Sequence, residues 1–119
     1  MKVHWTFTAE GHLDAIYAYI AQDSPEYAKH MVDRLTRRSQ QIAEFPLSGR
    51  RVPEYDVDQI REVIEGSFRI IYRIKADQID VLAVIHGAMD VLGRSGKDDD
   101  LAELQNQRIG PQKIHPLAL

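Results

Sequence analysis

The amino-acid sequence predicts an α+β domain with the element order β-α-α-β-β-β. Two segments, 68–74 and 79–85, follow a period of two and are rich in β-branched and aromatic residues, and the four residues between them suit a β-hairpin. Two earlier segments carry apolar residues at helical spacing and lie a couple of residues apart, which predicts an antiparallel helical hairpin. We therefore expect this helical hairpin to pack on one face of a mainly antiparallel four-stranded sheet.

The size and composition indicate one globular domain. The chain has 119 residues, of which 44% are hydrophobic and 28% are charged, which is ordinary for such a domain. It contains no cysteine, which excludes disulfides and favours a reducing compartment. No signal peptide is evident and no apolar run approaches about 18 residues, so we expect a cytoplasmic protein without membrane contact. The net charge of −3 argues against nucleic-acid binding as the main activity, because that usually needs a basic excess.

The first elements are a strand and a helix. Residues 2–7 alternate apolar and polar side chains, which predicts the strand. Thr8 is the predicted N-cap of a helix over residues 9–22.

The second helix has a stronger start signal. Ser24 is the predicted N-cap and Pro25 suits the first helical position. The amphipathic pattern then continues and stops before Pro46. We expect its outer face to be a solvated charged face, supported by Asp33 and Arg37 at i, i+4.

A loop and a third strand precede the hairpin. Residues 46–58 have the composition of a loop, and Gln59–Ile64 has that of a strand. A two-residue turn at Gly66 and Ser67 would place Val63 on the core face. A three-residue turn would exchange the two faces of this strand, so its register stays open.

The hairpin has one wholly apolar face. If residues 76 and 77 form its loop, four pairs face the helices: Ile74 with Ile79, Tyr72 with Val81, Ile70 with Ala83, and Phe68 with Ile85. On the other face the predicted pairs are Arg69 with Val84, Ile71 with Leu82, and Arg73 with Asp80, and His86 lies diagonal to Arg69. The opposite charges of Arg73 and Asp80 help to determine this register.

The sequence changes character after Leu92. Residues 93–100 are a polar linker, and residues 101–109 suit a short helix that could not be stable alone. We therefore divide the chain into a domain at 1–92 and a tail at 93–119.

Several motifs lie in order along the chain. They are a helix ending YIA at 19–21, DSPEYA at 23–28, FPLSGRRVPE at 45–54, IREVIEGSFRIIYRI at 60–74 and VLAVIHG at 81–87. Together they resemble the RelE/ParE superfamily of type II toxins, and most of all its ParE branch. The resemblance covers about residues 2–92 and does not extend to the tail.

The resemblance implies a toxin held inactive by a co-encoded antitoxin, whose C-terminal segment wraps around it. Such a pair can form a heterotetramer or a larger complex, and the toxin would contact DNA only indirectly, through the antitoxin. ParE-type members poison DNA gyrase, whereas RelE-type members cleave mRNA on the ribosome. The fold does not choose between these activities, because function depends on the site.

Several charged residues are candidates for the catalytic groups of a metal-independent ribonuclease. It needs cations to stabilise the phosphorane and an acid or base near the 2′-hydroxyl. The candidates here are Arg69, His86, Glu54, Arg61 and Arg73. Arg69 and His86 are expected on one face, within diagonal reach. Glu54 and His86 fall at positions similar to an acid and a histidine of ribosome-dependent relatives.

Two observations argue against a nuclease. Arg69 and Arg73 could simply pair with Glu62 and Asp80, and His86 could be a packing residue at a strand end. The ParE pattern commonly has arginines at positions 88 and 89, where this chain has alanine and methionine. Their absence removes positive charges that a nuclease would use to bind phosphate. It also weakens the case for a contact of the ParE type.

The second face of the sheet is instead a candidate protein-binding surface. Its predicted members are the apolar Ile60, Ile64, Ile71, Leu82 and Val84 and the basic Arg69 and Arg73. So much exposed hydrocarbon favours a partner segment. The alternative is that Leu101, Leu104, Ile109 and Leu117 of the tail cover it.

We interpret the chain as a toxin that binds a protein target, DNA gyrase, without enzymatic turnover. The alternatives are a ribosome-dependent mRNA endonuclease, or a degenerate toxin that acts only in an autoregulatory complex with its antitoxin. The histidines have no metal-ligand spacing, so we expect neither a metal nor another cofactor.

Overall fold

The computed structural model describes residues 1–87, so the linker and tail predicted for residues 93–119 lie outside the described residues. The elements in chain order are strand β1 (Lys2–Trp5), helix α1 (Phe7–Ala21), helix α2 (Pro25–Glu44), a 3₁₀ turn (Pro46–Ser48), and strands β2 (Arg50–Arg51), β3 (Ile60–Glu65), β4 (Phe68–Ile74) and β5 (Gln78–His86). The predicted α+β architecture is confirmed. Within the described part of the chain, no helix is long and apolar enough to cross a membrane.

The sheet has one strand more than predicted. Its order is β1-β5-β4-β3-β2, with β1 parallel to β5 and the other pairs antiparallel. The additional strand is β2, where Arg50 pairs with Glu62 and Arg51 with Arg61. The composition of this segment predicts a loop there instead. A two-residue edge strand has no alternation to detect and forms only because β3 offers an unpaired edge.

Side-chain caps start both helices. Ser24 accepts a hydrogen bond from the backbone N–H of Tyr27 (3.1 Å), and Pro25 follows it, as predicted. The first helix starts earlier than predicted. Thr6, rather than Thr8, accepts the N–H of Ala9 (3.2 Å), and Thr8 is buried within α1.

Two apolar clusters lie on opposite faces of the sheet. The larger one, which we call the helix-side cluster, joins the helices to the sheet. It includes Ile16, Leu35, Ile42, Ile70, Tyr72 and Val81. The second-face cluster consists of Val52, Ile60, Ile71, Leu82, Ala83 and Ile85, with Tyr55 packed against them. Each fully buried large aliphatic side chain contributes about 1.5–3 kcal/mol.

The turn between β3 and β4 has two residues. Glu65 pairs with Phe68, and Gly66 between them has a φ of 60°, which glycine adopts without strain. Val63 therefore pairs with Ile70 on the helix-covered face. The preferred register of β3 is confirmed.

A bulge at Leu82 changes the register of the hairpin. Near its loop the pairs are as predicted, and Tyr72 lies opposite Val81. Ile71 then pairs with Ala83, so Leu82 is an extra residue on β5. Beyond the bulge the pairs are Ile70 with Val84, Arg69 with Ile85 and Phe68 with His86. The predicted pairs of Ile70 with Ala83 and of Phe68 with Ile85 are wrong by one residue, and the side chains beyond Leu82 lie on the faces opposite to those predicted.

The edge of β5 beyond the end of β1 is covered by polar groups from the start of the chain. Thr6 donates its hydroxyl to the carbonyl of Val81 (2.7 Å) and its backbone N–H to the same oxygen (3.1 Å). Further along, the buried His12 accepts the backbone N–H of Val84 at Nδ1 (3.2 Å). These contacts satisfy groups that would otherwise be buried without partners next to the bulge.

Tyr72 anchors the segment that leads into β2. Its hydroxyl donates to the carbonyl of Pro46 (2.6 Å) and accepts the N–H of Gly49 (3.1 Å). Burial raises the pKa of this phenol, against the opposing effect of the Gly49 N–H, so the hydroxyl keeps its proton and can donate it. A Cβ on Gly49 would lie 2.6 Å from the carbonyl oxygen of Glu62 and 3.0 Å from the Tyr72 ring. Only glycine allows this close approach.

We expect Gly49→Ala to lower the free energy of unfolding by about 1–3 kcal/mol, because a backbone atom and a buried ring cannot both move away. Urea denaturation followed by circular dichroism measures this. Ser48→Ala, at an exposed neighbouring position, is the control and should stay within about 0.5 kcal/mol of the unmodified chain. Equal stability of the two variants would show that the segment relaxes freely.

Candidate functional site

Four charged side chains form a network on the second face of the sheet. Arg69 on β4 donates Nε to Glu62 Oε1 on β3 (2.6 Å). Its two terminal nitrogens donate to both carboxylate oxygens of Glu54, at 3.1 and 3.0 Å. Arg50 on β2 donates Nε to the other oxygen of Glu62 (2.6 Å). We call Arg50, Glu54, Glu62 and Arg69 the second-face ion network.

The network is buried at its centre and neutral overall. The Glu62 side chain is fully buried and that of Arg69 is 7% exposed, whereas that of Arg50 is 65% exposed. Burial by itself would lower the pKa of Arg69, but its hydrogen bonds to Glu54 and Glu62 outweigh that effect and raise the pKa. Arg69 is therefore a charged group whose donors are directed at two carboxylates.

Arg69 and His86 do not form the predicted pair. Because of the bulge, His86 lies opposite Phe68, and the two rings make an edge-to-face contact with centroids 6.0 Å apart. Phe68 belongs to the helix-side cluster, while Arg69 lies opposite Ile85 of the second-face cluster. The expectation that Arg69 and His86 share a face is thus wrong.

The remaining nuclease candidates are separated as well. Glu54 binds Arg69, so this acid and this cation neutralise each other. Arg61 donates to the backbone carbonyls of Gly49 (2.9 Å) and Asp58 (3.0 Å). Arg73 lies opposite Asp80 in the register, as predicted, but the Asp80 carboxylate binds Lys75 Nζ (2.6 Å). Among residues 1–87, no salt bridge between Arg73 and Asp80 forms.

Most of the predicted partner-binding residues are buried. Ile60 and Ile71 are completely buried, Leu82 is 3% exposed and Arg69 is 5% exposed. Val84 lies in the helix-side cluster, because the bulge turns it to that face. In the described structure these residues therefore do not form an open apolar surface, and their contact with a partner stays a prediction. Ile64, which is 52% exposed, remains accessible, and Arg73 is half-buried.

Sequence reasoning missed the central position of Glu62 and the contribution of Arg50. One signal was available: a two-residue turn puts Glu62 and Arg69 on the same face of neighbouring strands, where opposite charges attract. No comparable signal joins Arg50 to Glu62, because their pairing depends on the edge strand β2. The described residues contain no group of three or more His, Asp or Glu side chains placed to hold a metal ion.

The chain is similar in fold to a solved structure and in sequence to a curated protein. A solved structure, the chromosomal ParDE toxin–antitoxin system from P. aeruginosa, superposes with a TM-score of 0.61 at 27% identity, covering 72% of this chain and 95% of that chain. Among curated proteins, "Putative toxin Y4kP" of Sinorhizobium fredii is 34% identical over 87 residues, which are 71% of this chain and 86% of that protein.

The family assignment follows from the sequence match. Residues 3–91 match the model of the ParE toxin of the type II toxin–antitoxin system parDE. The chain belongs to this family of toxins, and the predicted resemblance to the ParE branch is confirmed.

Proposed function

We propose that the chain is a ParE-type toxin that inhibits DNA gyrase by binding it, without enzymatic turnover, and that a cognate antitoxin neutralises it. Membership of the ParE family supports the gyrase target and the antitoxin partner. The proposed place of action is the cytoplasm, in a heterotetramer or larger complex while the antitoxin is bound, with DNA contacted only through the antitoxin.

The observation that favours binding over RNA cleavage is the second-face ion network. A cation that stabilises a phosphorane must direct its donors at the developing charge. Arg69 instead directs three nitrogens at Glu62 and Glu54, at distances of 2.6–3.1 Å. A phosphate approaching this guanidinium would also meet the negative charge of Glu54. The geometry therefore favours a structural role for Arg69.

A supercoiling assay with purified gyrase tests the proposal. We expect the chain to block supercoiling of relaxed plasmid and to leave cleaved DNA attached to gyrase when detergent is added. Prior addition of the antitoxin should restore supercoiling. Uninhibited gyrase would contradict the proposal.

A second assay separates the alternatives. If the chain cuts mRNA in translating ribosomes and leaves gyrase active, the endonuclease alternative replaces the proposal. If it does neither yet binds the antitoxin tightly, the degenerate toxin replaces it. Both results are read on protein whose circular dichroism spectrum shows that it is folded.

A further inference from the structure

One exposed surface outside the second face combines positive charge with apolar side chains. Arg34, Arg37, Arg38 and Gln41 follow i, i+3, i+4 and i+7 along α2, so they lie on one side of the helix. Together with Glu65 at the end of β3 they line an open cleft of about 170 Å³. We call these four α2 residues the α2 arginine stripe.

The stripe has more positive charge than its neighbours neutralise. Glu65 receives two hydrogen bonds from Arg34, at 2.7 and 3.2 Å, and lies 3.6 Å from Arg38 Nε. Arg37 is exposed and has no salt bridge within residues 1–87, including with Asp33, its predicted partner. Three guanidinium groups therefore line a cleft that contains one carboxylate, and only Arg34 and Arg38 contact it. This local excess is notable on a chain whose net charge is −3.

Arg34 and Arg38 are partly ordered in the unbound protein. The side chains of Arg34 and Arg38 are 33% and 28% exposed, so their stems are largely covered. Arg34 crosses the β3–β4 turn, where its Nη2 lies 3.3 Å from the position that a Cβ on Gly66 would take. Arg38 also contacts Gln41 Oε1 (3.3 Å). Such ordering lowers the entropy cost of binding an oxyanion.

Apolar side chains continue the stripe at the C-terminal end of α2. Phe45 follows Gln41 by four residues and is 66% exposed, and Leu47 in the following turn is 70% exposed. Large exposed apolar side chains beside a charged cleft are typical of protein-binding surfaces.

We propose that the α2 arginine stripe, with Phe45 and Leu47, binds an acidic amphipathic segment of a partner protein. Its carboxylates would bind Arg37 and Arg38, and an apolar side chain one or two turns away would pack on Phe45 and Leu47. Arginine suits carboxylates because its planar fork binds both oxygens. This inference goes beyond gyrase inhibition and does not depend on it.

A nucleic-acid backbone fits this surface less well. The Glu65 carboxylate lies inside the cleft and would repel a phosphate. Within α2, Gln41 is followed by the acid Glu44 and by no further cation, whereas a phosphate backbone needs several cations in series. The geometry therefore favours a protein segment that carries both acidic and apolar side chains.

Fluorescence anisotropy with synthetic probes tests the inference. The probe is a labelled helical peptide with glutamates at i, i+3 and i+4 and leucines one and two turns later. The reference peptide has glutamines instead of the glutamates. We expect the acidic peptide to bind at least about tenfold more tightly than the reference, as two charge-assisted contacts allow, and added salt to weaken its binding.

Charge-reversed variants of the full chain locate the site. We expect Arg37→Glu to weaken binding of the acidic peptide about tenfold. Lys29→Glu is the matched control, since Lys29 is an exposed cation elsewhere around the same helix, and it should change the Kd by less than about twofold. We also expect Phe45→Ala to weaken binding several-fold.

Three results would overturn the inference: no binding of the acidic peptide, equal effects of Arg37→Glu and Lys29→Glu, or tighter Arg37-dependent binding of a labelled DNA duplex than of the peptide. All three variants change exposed residues, and circular dichroism checks their fold. Peptide binding by a chain that leaves gyrase active would support this inference and contradict only the proposed function.

Discussion

Glu62→Ala is expected to lower the free energy of unfolding by about 3–5 kcal/mol, because it leaves Nε of the buried Arg69 without its carboxylate and leaves two arginines of the network with only one acid, Glu54. The Glu62 side chain is fully buried and binds both Arg69 and Arg50 at 2.6 Å. Urea denaturation measures the loss. Arg50→Ala is the control, and it should cost about 1 kcal/mol or less, since its side chain is 65% exposed and Glu62 keeps Arg69.

The double variant Glu62→Leu with Arg69→Met tests whether the stability lost in Glu62→Ala comes from the unpaired charge or from lost packing. Apolar side chains of similar size often replace a buried ion pair without loss, so this variant should recover most of the stability lost in Glu62→Ala. Glu54, whose side chain is 19% exposed, can then bind water. If Glu62→Ala were no more costly than Arg50→Ala, the network would not be a structural element.

We expect the His12 contribution to the free energy of unfolding to fall by about 3 kcal/mol as the pH is lowered from 6.5 to 4. Burial lowers the pKa of His12 from 6.5 to about 4. Its Nδ1 accepts the N–H of Val84, and its Nε2 has no hydrogen-bond partner within residues 1–87. The folded state therefore holds the neutral ring.

The sign follows from proton binding. Between pH 6.5 and pH 4 the unfolded chain binds a proton at His12 and the folded chain does not, so acid favours unfolding. The stabilisation is complete above pH 6.5 and is lost as the pH falls through 4. Carboxylates also titrate in this range, so the His12 contribution is the difference between the unmodified chain and His12→Leu, each measured by urea denaturation across pH 4–8.

A nuclear magnetic resonance titration gives an independent measurement. The ring protons of His12 should shift with a midpoint near pH 4, whereas a midpoint near 6.5, as in an exposed histidine, would contradict the buried neutral form. His12→Leu should also lose stability at neutral pH, because the N–H of Val84 then has no acceptor.

Much of the fold could be predicted from local patterns. The cap at Ser24, the helix end before Pro46 and the two-residue turn at Gly66 each depend on a few neighbouring residues. The candidate site could not be predicted in the same way. The sequence marks Arg69 as a candidate residue that could pair with Glu62, but the roles of Glu54 and Arg50 depend on how residues 46–58 fold back onto β3.

By itself, the sequence determined the element order, the helical hairpin and the family, because periodicity, capping and spaced motifs are properties of the chain. The tertiary structure decided which face each side chain of β5 occupies. One extra residue at Leu82 moves Val84 to the helices and separates His86 from Arg69. The contact that accompanies this change joins Val84 to His12, 72 residues away. Strand side chains alternate with a period of two, so a single distant hydrogen bond can accompany a change of face that no local pattern reveals.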